Sequence, residues 1–391
     1  MYIALLGRQP ELSIAELERL YEKVTWFSGQ TALVDASSVD VQKLGGTQKA
    51  GKVTLELPLG DWRKASDAIA RHYAQAWAGF EGKLTLGISA YDFDANPRDV
   101  QKLGLILKSK LKQSGVSLRL IPNQEATLST ATSHHNKLGL SANKVELLVV
   151  RGRYGIVVAE STGAQNITAL AARDQGRPRR DAFVGMLPPK LAQMMINMSL
   201  GPALFTETTP RPRILDPFCG TGVLLQEAAL LRYSVYGTDL SEKMIRYSRD
   251  NLNWLQDKYE IRTDWYLHEG DAMDTTWQQP IDAIASEAYL GQPFSAPPSP
   301  AKLTEVRGNC NFIISSFLKN LATQIESGTP VVLAVPAWKD KQDAFVHLQL
   351  TEKLDYLGYE RMKLTTVESD RLMYFRPDQV VARELLLLIK K

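Results

Sequence analysis

The chain has 391 residues, 44% hydrophobic and 23% charged, with a formal net charge of +3 from 46 basic and 43 acidic residues. That composition excludes a wholly disordered or collagen-like chain, and the near balance of charge confines any nucleic-acid surface to local patches. Two cysteines exclude a disulfide scaffold or a zinc ribbon, and the length suggests two or three domains.

The opening run is broken by Arg8, Pro10 and Glu11 too early for a secretory signal. No stretch approaches the roughly 18 apolar residues of a membrane span, so a cytoplasmic protein is expected. Leu12, Ala15, Leu17 and Leu20 recur at helical spacing, with Ser13 as candidate N-cap and Glu16 three residues on. Gly45-Gly46 and Pro58-Leu59-Gly60 are turn signals. Residues 84–92 alternate as a strand, 97–115 read as a helix with Leu103, Leu107 and Leu111 on one face, and 117–122 and 144–162 supply further strands. Residues 163–186 are polar and turn-rich and read as a basic linker; Pro188 and Pro189 then open a helix with Leu191, Met195 and Met198 on one face.

From Arg213 the pattern becomes strands alternating with helices: strands at 213–216, 234–241, 265–274, 281–291 and 330–338, helices at 223–232 and 242–255. Such alternation predicts a mostly parallel sheet with helices on both faces. The C-terminal segment reads as two strands around a Pro-Asp turn, placed as an antiparallel edge hairpin.

The segment Ile214-Leu-Asp-Pro-Phe-Cys-Gly-Thr-Gly-Val223 puts Asp216 at a strand end, then Gly220 and Gly222 in a tight turn, then a helix N-terminus. It lacks the Lys-Ser/Thr of a P-loop and the third glycine of G-x-G-x-x-G, having Leu225 there. Asp216 would repel a pyrophosphate, which favours a ligand with a cationic or hydroxyl-bearing end. Asp239 ends the next strand, where an acid accepts hydrogen bonds from ribose hydroxyls, and Asp271 ends the third, placed for a base amino group.

Asp216-Pro-Phe-Cys-Gly-Thr-Gly222 strongly resembles motif I of class I methyltransferases that modify RNA, and Gly237-Thr-Asp-Leu-Ser241 resembles their ribose-binding strand end. Residues 173–181 and 185–197 resemble the segment before motif I in the THUMP-containing tRNA guanosine-10 N2-methyltransferases. Gly7 to Leu17 looks like their N-terminal domain, and Pro122-Asn123 and His134-His135-Asn136-Lys137-Leu138 look like the THUMP core.

The resemblance implies an α/β protein with an N-terminal ferredoxin-like domain at 1–70, a THUMP RNA-binding domain at 71–162, the linker at 163–186 and a Rossmann-like methyltransferase domain at 187–391. The last would hold a seven-stranded sheet. It implies S-adenosylmethionine as cofactor, held by Asp216, Phe218, Gly220, Gly222, Asp239, Leu240, Asp271 and Ala272. The substrate implied is tRNA, methylated on guanine N2 at position 10 with the base flipped out. A monomer is expected; a need for an activator subunit stays open.

The two basic clusters are read from the residues themselves. Lys108 and Lys112 belong to an acid-free stretch at 101–120, and Arg177, Arg179, Arg180 and Lys190 to the linker and the helix after it. Phosphate contacts would concentrate there; the alternatives are a solvated helix face and a salt-bridge network. His135 and Asn136 join them as RNA contacts, since the histidine pair lacks partner acids or cysteines at metal spacing and no metal is expected.

The pattern departs from the family where amino methyltransferases usually carry Asp/Asn-Pro-Pro-Tyr/Phe. Here Ser286, Glu287 and Ala288 stand in place of the acid and prolines, with Tyr289 as the stacking ring. Glu287 is taken as the acceptor for the exocyclic amine, and Ser286 and Tyr289 complete the catalytic set. Methylation of another atom or RNA (ribosomal RNA included) and a catalytically degenerate RNA-binding protein stay open as alternatives.

Overall fold

In the computed structural model, which describes all residues but 182–186, 203–210, 341, 343 and 371, the chain forms two units. The first comprises Met1–Pro10 and Tyr21–Ala169, the second Glu11–Leu20 and Leu170–Lys391.

Strand β1 (Tyr2–Leu6) is followed by α1 (Pro10–Leu20), then β2 (Lys23–Ser28), β3 (Thr31–Asp35), β4 (Thr47–Pro58), α2 (Trp62–Ala76), β5 (Lys83–Tyr91), α3 (Pro97–Gln113), β6 (Ser117–Leu120), α4 (Thr130–His135), β7 (Lys144–Arg151) and β8 (Gly155–Ala164). The eight strands form one sheet in the order β2-β3-β1-β4-β8-β7-β5-β6. The expected boundary near residue 70 therefore falls between strands of a single sheet, whose β4–β8 pairing joins Lys49–Pro58 to Gly155–Ala164. Helix α3 follows its sequence pattern closely. Asn96 and Asp99 make a reciprocal capping box, and Leu103, Leu107 and Leu111 are buried.

A buried polar cluster anchors the approach to α4. Lys49 Nζ lies 2.6 Å from Glu146 Oε1, with both side chains at most 2% exposed. The Ser89 hydroxyl donates to the same carboxylate at 2.7 Å. Lys49 Nζ also donates to the Leu128 carbonyl, and Leu128 N–H donates to Ser89 Oγ. Both polar groups of one loop residue are thus tied to the sheet, which fixes where α4 begins.

Helix α1 corrects two expectations. Pro10, not Ser13, opens it, and Ser13 is buried inside the helix. Its Glu11–Leu20 stretch belongs to the second unit, where Leu12 and Ala15 share a core with α6 (Pro189–Leu200). There Asn197 Nδ2 donates to Glu16 Oε1 at 2.7 Å and Arg19 Nε to the Met198 carbonyl at 3.0 Å.

The linker contains a helix, α5 (Ile167–Gln175). The Asn166 side chain caps it by accepting from Ala169 N–H. The linker's end at 182–186, with Gly185 and Met186 of the family-like segment, lies outside the described residues. Helix α6 starts at Pro189 as expected. Almost every position is buried rather than one face only, because α1 covers one side and the sheet another.

The second unit continues with β9 (Arg213–Asp216), α7 (Val223–Leu230), β10 (Ser234–Asp239), α8 (Glu242–Tyr259), β11 (Trp265–Glu269), β12 (Ala283–Glu287), α9 (Pro300–Ala322), β13 (Pro330–Lys339), β14 (Phe345–Val346), β15 (Tyr359–Arg361), β16 (Met373–Tyr374) and β17 (Val381–Lys390). The sheet order is β11-β10-β9-β12-β13-β17-β15, with β14 and β16 paired at its side. Strands β9 to β13 are mutually parallel. Strand β17 is antiparallel to both β13 and β15. The expected hairpin forms, β16 pairing antiparallel with β17, but its edge position is corrected: β17 is an interior strand, its Leu385 to Leu388 fully buried, which explains a run of four leucines where an edge would alternate. Strand order reverses between β9 and β12, so a crevice forms outside their carboxyl ends.

Candidate active site

A cavity of about 760 Å³ opens in that crevice. Its walls come from the loops after β9, β10, β11 and β12 and from α9, and include Asp216, Phe218, Gly220, Asp239, Leu240, Asp271, Ala272, Glu287 and Tyr289. The structure therefore assembles most of the expected site residues around one space. Gly222 and Ser286 are behind the wall. Leu290, Asn309 and Ile313 also line it and carry no sequence signal that would single them out.

The turn after β9 is shaped by its glycines. Gly220 and Gly222 have φ of 52° and 77°, a region that favours glycine. A Cβ on Gly222 would come 2.8 Å from Ser248 Oγ. Ser248 uses that hydroxyl to donate to the Gly220 carbonyl at 2.8 Å, so α8 holds the turn from behind. Phe218 packs edge-on against Phe317 of α9, ring centres 5.1 Å apart. Cys219 is buried, and burial raises its thiol pKa well above the usual value, which leaves it as packing.

Asp239 braces the turn from β10. Its two carboxylate oxygens accept from Gly220 N–H and Ser241 N–H, each at 2.9 Å. Burial raises its pKa, and those two hydrogen bonds oppose the rise. Each oxygen keeps a lone pair, and Leu240 beside it is 69% exposed with its side chain over the cavity. Asp271 Oδ1 accepts from Met273 N–H at 2.9 Å, which turns the chain after β11.

Asp216 is 3% exposed. Ser286 Oγ donates to its Oδ1 at 2.6 Å and Phe218 N–H at 3.3 Å. Burial pushes its pKa up to about 7, with Asp239 and Glu287 adding to the rise and the two hydrogen bonds opposing it. Its folded-state value lies above the unfolded one, so its contribution to stability falls as pH rises from about 4 to about 7. Ser286 was expected to act on substrate. Its side chain is fully buried and its hydroxyl serves Asp216, so it reaches the site only through that carboxyl.

Glu287 ends β12 and forms an ion pair with Arg383 of β17. Tyr289 is 41% exposed at the rim. Gly291, with φ of 80°, closes the loop against Val306 and Cys310, where a Cβ would lie 2.8 Å from Val306.

The basic residues divide. Lys108 and Lys112 are exposed on α3, His135 is exposed on α4, and Asn136 is the C-cap of α4 with its amide donating to the Thr132 carbonyl. In the second unit the linker arginines are largely tied down. Arg173 makes a two-pronged contact with Glu227, Arg179 pairs with Asp250, and Asp181 pairs with Lys243. Arg177, expected at an RNA surface, is corrected: it is 3% exposed and burial lowers its pKa. Arg180 is exposed, while Lys190 is half-buried with its pKa lowered by burial. Among the described residues, no cluster of His, Cys, Asp or Glu could hold a metal ion, and no helix is long and apolar enough to cross a membrane.

Comparison with known proteins agrees with this geometry. Residues 177–346 match the profile of UPF0020, described as RMKL-like, methyltransferase domain. The chain is 31% identical over 169 residues to a tRNA (guanine(10)-N2)-dimethyltransferase of Methanothermobacter thermautotrophicus, covering 43% of this chain and 44% of that one. It is 33% identical over 114 residues to the protein of the same name from Pyrococcus abyssi, covering 28% and 30%. The aligned part thus spans less than half the length of either relative. Among solved structures, TrmN from Thermus thermophilus superposes with a TM-score of 0.54 at 16% identity, covering 100% of this chain and 99% of that one. The second unit is therefore a Rossmann-like class I methyltransferase fold, and residues 177–346 within it are similar in sequence to the UPF0020 methyltransferase domain.

Proposed function

We propose that this protein is an S-adenosylmethionine-dependent RNA methyltransferase that methylates N2 of a guanosine in tRNA, at position 10 as in the relatives' names. The observation that carries the reading is one cavity lined together by Asp216, Asp239, Asp271, Glu287 and Tyr289. The cavity volume lies within the range of small-molecule sites. Its acids suit a ligand with a cationic end and ribose hydroxyls, and its glycine turn allows close approach.

When bound, the cofactor supplies an electrophilic methyl group on a sulfonium. Asp216 and the Gly220 turn would hold its amino acid end, Asp239 its ribose and Asp271 its adenine, with Leu240 and Ala272 packing the base. Tyr289 would stack on the flipped guanine. Glu287 would accept hydrogen bonds from guanine N1–H and N2–H, which aims the N2 lone pair into the cavity. Adenine presents an acceptor at N1 and would meet that carboxylate with repulsion. The proton on N2 leaves after transfer, so Glu287 need only orient the amine.

We assign RNA holding to the first unit, whose segment 71–162 would be its THUMP-like part within the shared sheet, with Lys108, Lys112, His135 and Asn136, and to Arg179, Arg180 and Lys190. Exposure of the α3 lysines and of Arg180 supports this. A monomeric, cytoplasmic enzyme accords with a tRNA substrate.

The test is methyl transfer from labelled S-adenosylmethionine to unmodified tRNA transcripts, read by nucleoside mass spectrometry. N2-methylated guanosine at one site is the expected result. Binding of tRNA with no transfer, or methylation of a different atom, would sink the proposal. A pH dependence follows from Asp216. A cationic ligand favours the ionised carboxylate, so cofactor affinity should fall about tenfold between pH 8 and pH 6, given a pKa of about 7. Calorimetric titration checks this, and Asp216→Asn should bind weakly with no such slope.

A further inference from the structure

We propose that Arg383 is the positioning residue for Glu287, holding one carboxylate oxygen so that the other faces the substrate amine. This rests on the reading of Glu287 as the amine acceptor.

Three observations converge. The loop after β12 runs Glu287-Ala-Tyr-Leu-Gly291 with no proline, so backbone rigidity does not by itself aim the carboxylate. Gly291 fixes the far end of that loop, and strand pairing of Glu287 with Ala334 and the Ala288 N–H bond to the Ala334 carbonyl fix the backbone at the near end. The Glu287 carboxylate itself is held by Arg383 from β17, two strands away across β13. Its Nε donates to Glu287 Oε1, and the two side chains are 10% and 14% exposed. Among the described residues, Oε2 of Glu287 accepts no hydrogen bond, while Glu287 lines the cavity. One oxygen is held and its twin is available.

The surrounding charges favour this division of labour. Asp216, from β9, is close enough to Glu287 for the Glu287 charge to raise the Asp216 pKa, and Arg383 sets a cation against Glu287. The next residue on β17, Glu384, is engaged by His347 at 2.7 Å and Arg361 at 3.7 Å. It therefore does not draw Arg383 away. A guanidinium in a partly buried site also holds its partner with direction as well as charge.

The test is steady-state methylation of a tRNA transcript by Arg383→Met, Arg383→Lys, Glu287→Gln and the Arg383→Met/Glu287→Gln double variant, each checked for fold by circular dichroism. Arg383→Met should lower kcat about 30- to 100-fold, the scale of a misplaced reacting group, with the KM for S-adenosylmethionine unchanged. Arg383→Lys should recover part of the loss even if the methionine variant folds poorly. In the Glu287→Gln background, Arg383→Met should add nothing further. Wild-type kcat in Arg383→Met, or an undiminished loss in the double variant, would overturn the proposal. Full activity of Glu287→Gln would instead overturn the assignment of the acceptor, which separates the two failures.

Discussion

Replacing Glu287 with alanine is expected to lower the turnover of methyl transfer about 100- to 1,000-fold, the range seen when one aligned polar group is removed from an active site. Binding of S-adenosylmethionine should persist. Glu287 sits at the end of β12 on the cavity wall, whereas Asp216 and Asp239 brace the turn that would receive the cofactor. The alanine variant also leaves the largely buried Arg383 without its partner. Some loss of stability is therefore expected, and thermal melts should accompany the kinetics. Tyr289→Ala should act differently. Its ring is at the rim, so its loss should weaken RNA-dependent steps by about tenfold, the value of one lost stacking contact, and leave the melt unchanged. If both variants methylate tRNA at the wild-type rate, the active-site assignment is wrong.

Asp239→Ala is the second large effect. It should weaken S-adenosylmethionine binding about 100-fold, by isothermal titration, and reduce turnover at fixed cofactor accordingly. The carboxylate accepts from Gly220 and Ser241 N–H while offering its remaining lone pairs to a ribose. Hydrogen bonds to a charged group are each worth about 1.5–3 kcal/mol, so losing ribose contacts and loosening the turn together reach that magnitude. Asp239→Asn should recover little. An amide has one acceptor oxygen, and its NH2 would confront either a backbone N–H or a hydroxyl it cannot orient. A variant that binds the cofactor like the wild type would show that the ligand reaches the cavity by another route.

What was legible before the structure was local. The motif turn could be read because Gly220 and Gly222 take left-handed conformations within a few residues of Asp216. Asp216 and Asp239 could be placed at strand ends because each follows a short strand-like run, whereas Asp271, expected at the end of the third strand, lies in the turn after β11 ends at Glu269. Helix α3 announced itself through the spacing of its leucines. In all of these the determining contacts lie within one or two turns of chain.

The remainder depended on which element packs against which. The Glu287–Arg383 pair joins residues 96 apart and Ser286–Asp216 joins residues 70 apart; no local pattern encodes either. Helix α1 has the same apolar spacing whether it covers the first sheet or the second, and only the completed core assigns Leu12 to α6. Arginine composition marked the linker as basic. Burial of Arg177 and the pairing of Arg173 with Glu227 followed from where α7 lies. The sequence placed β17 in an edge hairpin, and its pairing with both β13 and β15 made it an interior strand. By itself the sequence determined the type of the strongly periodic elements, such as α3 and the strands and helices after Arg213, and the chemistry they carry, since periodicity acts over a few residues. The tertiary structure decided which charges meet and which are hidden, since that depends on the long-range closure of the chain.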